Sequence, residues 1–165
     1  MNEKLTVYCD GSCSPNPGRG GFAALIIYPD GKETILSGNS RYTTNNQMEL
    51  EAVIRALTYL EPSYIDLYCD SQYVLKGMSE WIPNWIKKNW NRGKKNTVKN
   101  LDKWKMLTVL AEKHKIKYHW VRGHNGDKYN EIVDIEANTK ARSSYEEYLC
   151  IRHIWNKAKP ILVKK

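Results

Sequence analysis

The sequence predicts an α/β fold built on a mixed sheet, and three observations support this. Residues 5–10 and 65–70 alternate apolar and polar side chains, as strands do, and both runs end in Tyr-Cys-Asp. A helical apolar pattern lies between them, which would allow the two strands to pair in parallel. Apolar runs at 21–28 and 33–36 flank an Asp-Gly hairpin signal. The chain is therefore predicted to begin with three strands in an antiparallel meander.

Composition limits the class of protein before any motif is considered. The 165 residues suit one domain, and no apolar run approaches the roughly 20 residues that cross a bilayer. The N-terminus lacks the apolar core of a signal peptide, so we expect the protein to be cytoplasmic and its four cysteines to be free thiols. Because the cysteines form no Cys-x-x-Cys pair, we expect no zinc site. The net charge of +8 favours a nucleic-acid partner, although a basic surface without a partner fits composition equally well.

Residues that favour turns and helix caps divide the first half of the chain into separate elements. Gly11 is predicted to end the first strand, with a loop over 12–21 and a turn over 41–46. A helix then begins at one of two capping pairs, Asn46 with Glu49 or Thr44 with Gln47. Its predicted apolar stripe consists of Leu50, Val53, Ile54, Leu57 and Leu60.

The second half continues the alternation of strands and helices. Ser71 is a candidate N-cap for a short helix that reaches Gly77. A helix over 98–114, a strand over 116–121 and a helix over 129–142 follow, with a loop at 122–127. The packing residues predicted for the first of these helices are Leu101, Trp104, Met106, Leu107 and Leu110.

Four acids stand out by position. Asp10 and Asp70 each end a predicted strand, and if these strands lie side by side and parallel the two acids are about 5 Å apart at the backbone. Glu49 lies in a helix's first turn facing the sheet, and Asp134 shares a face with small residues of the last helix. Taken singly, each could be a turn or cap residue. If they converge, oxygen-only ligation suits Mg²⁺ or Mn²⁺, and a two-metal site with ions about 3.5–4 Å apart could cleave a phosphodiester.

The segment 81–105 is strongly basic, with eight Lys or Arg residues against the single acid Asp102. Four tryptophans are interleaved with these cations, an arrangement that favours contact with phosphates and sugars or bases. The alternative is a solvated charged face over core tryptophans, which we favour for Trp85 and Trp90.

Five linked phrases resemble type 1 ribonuclease H, in that family's order across roughly residues 4–142. They are Tyr8-Cys9-Asp10-Gly11-Ser12 with Asn16-Pro17-Gly18, Thr43 to Leu50, Asp70 to Val74, Trp120 to His124, and Asn130-Glu131 followed by Asp134. The resemblance implies a ribonuclease H-like fold, with a five-stranded mixed sheet of three antiparallel and then parallel strands flanked by helices. It also implies an endoribonuclease that hydrolyses the RNA strand of RNA–DNA hybrids, leaving 5′-phosphate and 3′-hydroxyl ends.

The resemblance also implies domains, partners and cofactors. Residues 1–142 would form the catalytic domain, and residues 143–165 a partly helical extension of unassigned role. The partner would be an RNA–DNA hybrid bound by a monomer, with no membrane. Two Mg²⁺ ions would be present with substrate, and Mn²⁺ is a possible substitute.

Site residues carry over from the same resemblance. Asp10, Glu49, Asp70 and Asp134 match the family's metal-binding acids. His124 matches a loop histidine that assists proton transfer or product release, whereas a loop histidine taken alone is more often a bystander. The matching substrate contacts are Gly11, Asn16, Thr44, Asn45, Gln72, Trp81, Lys87, Lys88, Asn100 and Trp104.

Two positions depart from the family's pattern, and two rival functions exist. Tyr42 and Gln47 stand where many relatives have Arg in a DNA-phosphate pocket, and Arg41 is a possible substitute for the first. A hybrid-binding module that does not cut is one rival, and the complete acid set argues against it. A related DNA nuclease of the transposase or integrase kind is the other; Asn45, Gln72 and the basic segment favour the hybrid.

Overall fold

The computed structural model describes residues 4–91 and 97–143. Most of the predicted extension, from residue 144, and the middle of the basic segment, at 92–96, lie outside them. The strands are β1 (Lys4–Cys13), β2 (Gly18–Ile27), β3 (Glu33–Thr43), β4 (Tyr64–Cys69) and β5 (Lys115–Trp120). The α-helices are α1 (Asn45–Tyr59), α2 (Gln72–Lys76), α3 (Ile82–Lys87), α4 (Leu101–Glu112) and α5 (128–143), and a π-helical turn, Gly77–Trp81, joins α2 to α3.

The strands form one mixed sheet in the order β3-β2-β1-β4-β5, which confirms the predicted fold class. β1 pairs antiparallel with β2, and β2 with β3, whereas β4 is parallel to both β1 and β5. The parallel register aligns Cys9 with Cys69. Asp10 and Asp70 therefore follow at equivalent positions on neighbouring strands, as the repeated Tyr-Cys-Asp phrase predicted.

Three boundaries in the first sheet region differ from the sequence prediction. Gly11 does not end the first strand, because it pairs with Phe22 and the ladder continues to Cys13. β2 begins at Gly18, inside the predicted loop over 12–21, and β3 extends into the predicted turn as far as Thr43. In all three places pairing with the neighbouring strand satisfies the backbone hydrogen-bonding groups and outweighs the local preference of the residues for turns.

Helix boundaries were predicted more closely, with two corrections. α1 uses the second predicted capping pair, Thr44 with Gln47, and its apolar stripe is buried as expected. α4 begins at Leu101 rather than residue 98, because Asn100 adopts a left-handed backbone with φ 57°. Met106 is half exposed and does not pack, contrary to the predicted role.

The sheet has a core on each face. The larger core is covered by α1 and α4, and the smaller one joins β1 and β2 to α5 through Tyr8, Leu25, Val133 and other buried residues. At Gly21 an added Cβ would lie 2.3 Å from the Ala137 carbonyl oxygen, so α5 rests directly on the β2 backbone. This close packing brings the N-terminal half of α5 to the same sheet edge as Asp10.

No helix within the described ranges combines the length and the apolar character needed to cross a membrane. Among those residues, Cys9, Cys13 and Cys69 are unpaired thiols, as the sequence predicted for them.

His114 is a buried polar residue that ties three segments together. Its Nδ1 accepts a hydrogen bond from the Ser63 backbone N–H at 3.2 Å, and its Nε2 lies 3.1 Å from the Leu57 carbonyl oxygen. Nδ1 must therefore be unprotonated, with the ring proton on Nε2. Burial lowers the pKa of His114 from its ordinary 6.5, because the charged ring loses solvation. In addition, a second proton on Nδ1 would point at the Ser63 N–H donor.

We expect His114 to make the free energy of unfolding fall as pH decreases. Below the ordinary pKa of 6.5 the unfolded chain binds a proton that the folded ring excludes, so the ring's contribution is complete above that pH and is lost below it. Urea denaturation of wild type and His114→Gln between about pH 7.5 and pH 5 should show their difference shrinking as pH falls.

Thr139→Ala is the control, because it changes an exposed side chain of α5 that carries no titratable group. Its difference from wild type should not depend on pH over the same range. A difference between wild type and His114→Gln that did not depend on pH would contradict the role given to His114.

Candidate active site

The fold brings three of the four predicted acids together at the carboxyl ends of β1 and β4. One carboxylate oxygen each from Asp10, Glu49 and Asp70 lies within 4.8 Å of the other two. Asp10 comes from β1, and Asp70 directly follows β4. Glu49 lies in the second turn of α1 rather than in the first turn as predicted, because α1 begins at Asn45. Asp10 and Glu49 are buried, and Asp70 is half-buried.

Gly11 determines how closely α1 approaches β1. A Cβ at this position would lie 2.3 Å from the Glu49 nitrogen and 2.5 Å from the Met48 carbonyl carbon, closer than real Cβ atoms come. Only glycine therefore permits this helix turn to lie on the strand backbone. The Gly11 N–H also donates to Asp10 Oδ1 at 3.0 Å. The structure thus gives Gly11 a packing role; its contact with a nucleic acid stays a prediction.

The buried acids resist ionisation. Burial, followed by the nearby charge of Asp70, raises the pKa of Asp10 to about 8. Burial and then Asp10 raise the pKa of Glu49 well above its usual range, and the two side chains share a hydrogen bond. Burial and then Asp134 raise the pKa of Asp70. Such a cluster holds protons in the absence of a compensating positive charge.

The donor set fits a hard divalent cation. All three residues offer carboxylate oxygens, which suit Mg²⁺ or Mn²⁺ rather than zinc. Glu49 Oε2 is buried without a hydrogen-bond partner, an arrangement that costs free energy unless another group supplies positive charge. A cation coordinated by this oxygen would remove that cost.

Asp134 and His124 lie at the open side of the cluster. Asp134, on α5, reaches Asp10 through a side-chain hydrogen bond, although it is not among the three acids grouped within 4.8 Å. His124 belongs to the loop between β5 and α5, has a left-handed backbone with φ 55°, and is largely exposed. Its Nδ1 lies 3.9 Å from Asp134 Oδ2. The predicted histidine is therefore adjacent to the site and open to solvent.

Two asparagines position these acids; in the sequence Asn130 falls within a quoted family motif but was given no role, and Asn138 was not singled out. Asn130 is buried and donates a side-chain hydrogen bond to Asp70. Asn138 donates to Asp134 Oδ1 at 3.3 Å and accepts from the Ser12 hydroxyl at 2.5 Å. Their four-residue spacing on either side of Asp134 places all three on one helix face, and this was the available signal.

The predicted substrate contacts lie on several different elements of the fold. Asn16 Oδ1 accepts the Asn45 backbone N–H at 3.1 Å, which joins the β1–β2 loop to the start of α1. Gln72 is exposed at the start of α2, and Lys87 and Lys88 are exposed at the end of α3. Thr44 uses its hydroxyl oxygen to cap α1, accepting from the Gln47 N–H.

A second feature is a cleft of about 290 Å³ between α1, α2 and the start of α4. It is lined by Asn46, Tyr73, Trp81, Trp85, Val98, Lys99 and Asn100. Two predicted contacts, Trp81 and Asn100, thus share one concave surface. Because the cleft carries aromatic, amide and cationic groups, it is suited to a nucleic-acid backbone.

Three predictions about the basic aromatic segment are settled by burial. Trp104 does not line a groove: its side chain is 0% exposed and its Nε1 donates to the Tyr73 hydroxyl at 3.1 Å beneath Trp81. Trp85 and Trp90 pack against the core, as we favoured. The wall below the cleft is therefore a packed aromatic cluster in which Trp104 is fully enclosed, whereas Tyr73, Trp81 and Trp85 line the cleft itself.

Fold and site together define an α/β enzyme with an acid cluster at the carboxyl ends of parallel strands. The RNase H family model matches residues 2–142. The ribonuclease H of Cupriavidus necator is 46% identical over 142 residues, covering 86% of this chain and 97% of that protein. The ribonuclease H of Legionella pneumophila (strain Corby) is 48% identical over 136 residues, covering 82% and 94%. The chain belongs to the RNase H family and is an endoribonuclease.

Solved structures agree with this assignment. LC9-RNase H1, a type 1 RNase H with the type 2 active-site motif, superposes with a TM-score of 0.79 at 28% identity, covering 87% of this chain and 74% of that one. LC11-RNase H1, solved in complex with an RNA/DNA hybrid, gives a TM-score of 0.64 at 19% identity, covering 86% and 99%. The second likeness shows a shared fold.

We expect Gly11→Ala to weaken both folding and Mg²⁺ binding. The new methyl group must push the Glu49 backbone away from β1, at a cost of about 1–3 kcal/mol of unfolding free energy. The displacement also separates Glu49 from Asp10. Calorimetric titration with Mg²⁺ and urea denaturation would measure the two effects. Gly31→Asn, in the open β2–β3 turn, is the control: it should leave Mg²⁺ binding unchanged and lower stability only through its positive φ of 88°, which asparagine tolerates better than most residues.

We expect Asp10→Asn to stabilise the protein in EDTA at neutral pH. Because the folded pKa of Asp10 is raised to about 8, the folded state binds a proton that the unfolded state releases, and stability falls as pH rises from about 4 to about 8. The variant should be more stable by about 1–3 kcal/mol at pH 8 and much less so at pH 4.

Added Mg²⁺ should reverse the order of stability measured by urea denaturation, since wild type gains binding free energy that the variant lacks. A variant that was less stable than wild type at pH 8 in EDTA would rule out this account of the acid cluster.

Proposed function

We propose that this enzyme hydrolyses the RNA strand of RNA–DNA hybrids, with divalent cations assisting the attack of water, and leaves 5′-phosphate and 3′-hydroxyl ends. The observation that carries the proposal is the buried cluster of Asp10, Glu49 and Asp70 in a chain of the RNase H family. The hybrid complex of the structural neighbour LC11-RNase H1 supports the same substrate.

The acids would hold Mg²⁺, or Mn²⁺ as a substitute, with two ions when substrate is bound. Asp10, Glu49 and Asp70 are the first ligands, and Asp134 completes the set from α5. A bound cation lowers the pKa of water and neutralises charge on the phosphate undergoing attack. The buried position of Asp10 and Glu49 excludes bulk water, which strengthens these electrostatic interactions.

His124 is proposed to move protons between the site and solvent. Its Nδ1 faces Asp134 and its ring is largely exposed, so it can take a proton from the attacking water or give one to the departing 3′ oxygen. Asn130 and Asn138 act by positioning, because each bonds to one carboxylate and fixes its orientation.

Substrate recognition divides between the two strands of the hybrid. Asn45 lies at the start of the helix that carries Glu49, Asn16 accepts its backbone N–H, and Gln72 follows Asp70 by two residues. These polar groups are proposed to face the RNA strand, whose 2′-hydroxyl distinguishes it from DNA. Thr44, Asn100 and Trp81 are proposed to receive the DNA strand. Lys87 and Lys88 extend a positive surface beyond the cleft, so binding should weaken with salt.

We propose a cytoplasmic location, which is supported by the unpaired thiols of Cys9, Cys13 and Cys69. We further propose that the protein is a monomer whose catalytic domain spans residues 1–142.

The decisive experiment uses an end-labelled RNA–DNA hybrid beside double-stranded RNA, duplex DNA and single-stranded RNA in Mg²⁺. Wild type should cut only the RNA of the hybrid, and Asp10→Asn should reduce the rate by about 100-fold or more, since it removes charge at the reacting phosphate. Extension of the product by a polymerase would confirm its 3′-hydroxyl end.

Glu112→Gln, which removes an exposed acid of α4, is the control and should cut like wild type. Tight binding without cleavage in Mg²⁺ or Mn²⁺ would leave a hybrid-binding module. Cleavage of duplex DNA with the hybrid intact would instead support the transposase-like rival.

A further inference from the structure

Gln47 is bonded at both ends of its side-chain amide. Its Oε1 accepts from the Thr43 hydroxyl at 2.8 Å and from the Thr44 backbone N–H at 3.3 Å, which completes the cap of α1. Its Nε2 donates to Asn100 Oδ1 at 3.3 Å. The acceptor end therefore serves the helix that carries Glu49, while the donor end crosses to the residue that precedes α4.

The Asn100 amide is held from two sides. Its Oδ1 is occupied by Gln47, and its Nδ2 donates to the Tyr73 hydroxyl at 3.1 Å. The Tyr73 oxygen is itself fixed because it also accepts from Trp104 Nε1. An amide nitrogen carries two hydrogens. The second hydrogen of Asn100 Nδ2 has no acceptor among the residues that the structure describes.

The hydrogen bonds of the Asn100 side chain determine which end of its amide can contact a ligand. Asn100 lines the cleft with Asn46, Trp81 and Lys99, and its oxygen is turned to Gln47. The group available to the cleft is then a donor, which attracts a phosphate oxygen. If the amide were reversed, its oxygen would repel the same phosphate.

We infer that Gln47 is a positioning residue for the nucleic-acid substrate: it orients Asn100 so that an N–H faces a backbone phosphate of the bound hybrid. This rests on the proposed function. Gln47 thus favours phosphate binding by orienting the Asn100 amide, whereas an arginine at position 47 would favour it through its positive charge. The same side chain couples the cleft to the helix turn that carries Glu49.

The competing explanation is that Gln47 only caps α1, and Gln47→Glu separates the two roles. A glutamate side chain keeps the acceptor that the cap requires and is favourable at a helix N-terminus. It has no donor for Asn100 Oδ1. The Asn100 amide is then expected to turn its N–H toward the introduced carboxylate and its oxygen toward the cleft.

The test is a double-mutant cycle of Gln47→Glu and Asn100→Ala. Dissociation constants for a fluorescently labelled RNA–DNA hybrid are measured by anisotropy in EDTA, and KM and kcat in Mg²⁺. Each single variant should weaken binding about tenfold, the effect of one hydrogen bond to a charged group, and KM should change more than kcat. The double variant should bind no more weakly than Asn100→Ala alone, because Gln47 acts through Asn100.

Several outcomes would overturn the inference. Wild-type binding by Gln47→Glu would leave only the capping role. Additive losses in the double variant would mean that the introduced charge repels the hybrid directly. Gln47→Arg, which retains a donor, should bind at least as tightly as wild type, and weakened binding would count against the role of the donor. Failure of wild type to cleave the hybrid would refute the proposed function, while the anisotropy cycle would still report on Gln47 and Asn100.

Discussion

The contact between the β1 backbone at Gly11 and the second turn of α1 is the constraint on which the active site depends. Without a side chain at Gly11, the Glu49 backbone lies directly on the strand, and its carboxylate meets that of Asp10. The parallel pairing of β1 with β4 adds Asp70 from the other side. Three acids distant in sequence thus converge because a helix and two strands share one close crossing.

This convergence opposes folding in the absence of a cation. Burial and mutual repulsion raise the pKa values of Asp10, Glu49 and Asp70, and one Glu49 oxygen is buried without a partner. The two apolar cores on either side of the sheet must offset that cost. A site held in this unfavourable arrangement is already organised for a divalent ion and needs little rearrangement to bind one.

The N-terminus of α1 contributes both to the acid cluster and to the cleft that is proposed to bind DNA. Its cap, Thr44 with Gln47, fixes the helix turn that presents Glu49 to the acid cluster. The Gln47 amide also reaches Asn100 at the cleft, where Trp81 and Lys99 line the surface. The acids proposed to be catalytic and the surface proposed to bind DNA are therefore joined by one short polar network.

Local patterns in the sequence determined the strands, the hairpin at Asp30-Gly31, the apolar face of α1 and the shared phase of Asp10 and Asp70. These features depend on side-chain alternation, helical spacing and turn chemistry, which act between near neighbours in the chain. Helical spacing also predicted Trp104 as a packing residue, and the structure buries it completely. Only the tertiary structure decided that Gly11 continues its strand and that Asn130 and Asn138 fix the acids. Each of those outcomes depends on contact with a segment distant in sequence, and patterns among neighbouring residues do not specify where that segment lies in the fold.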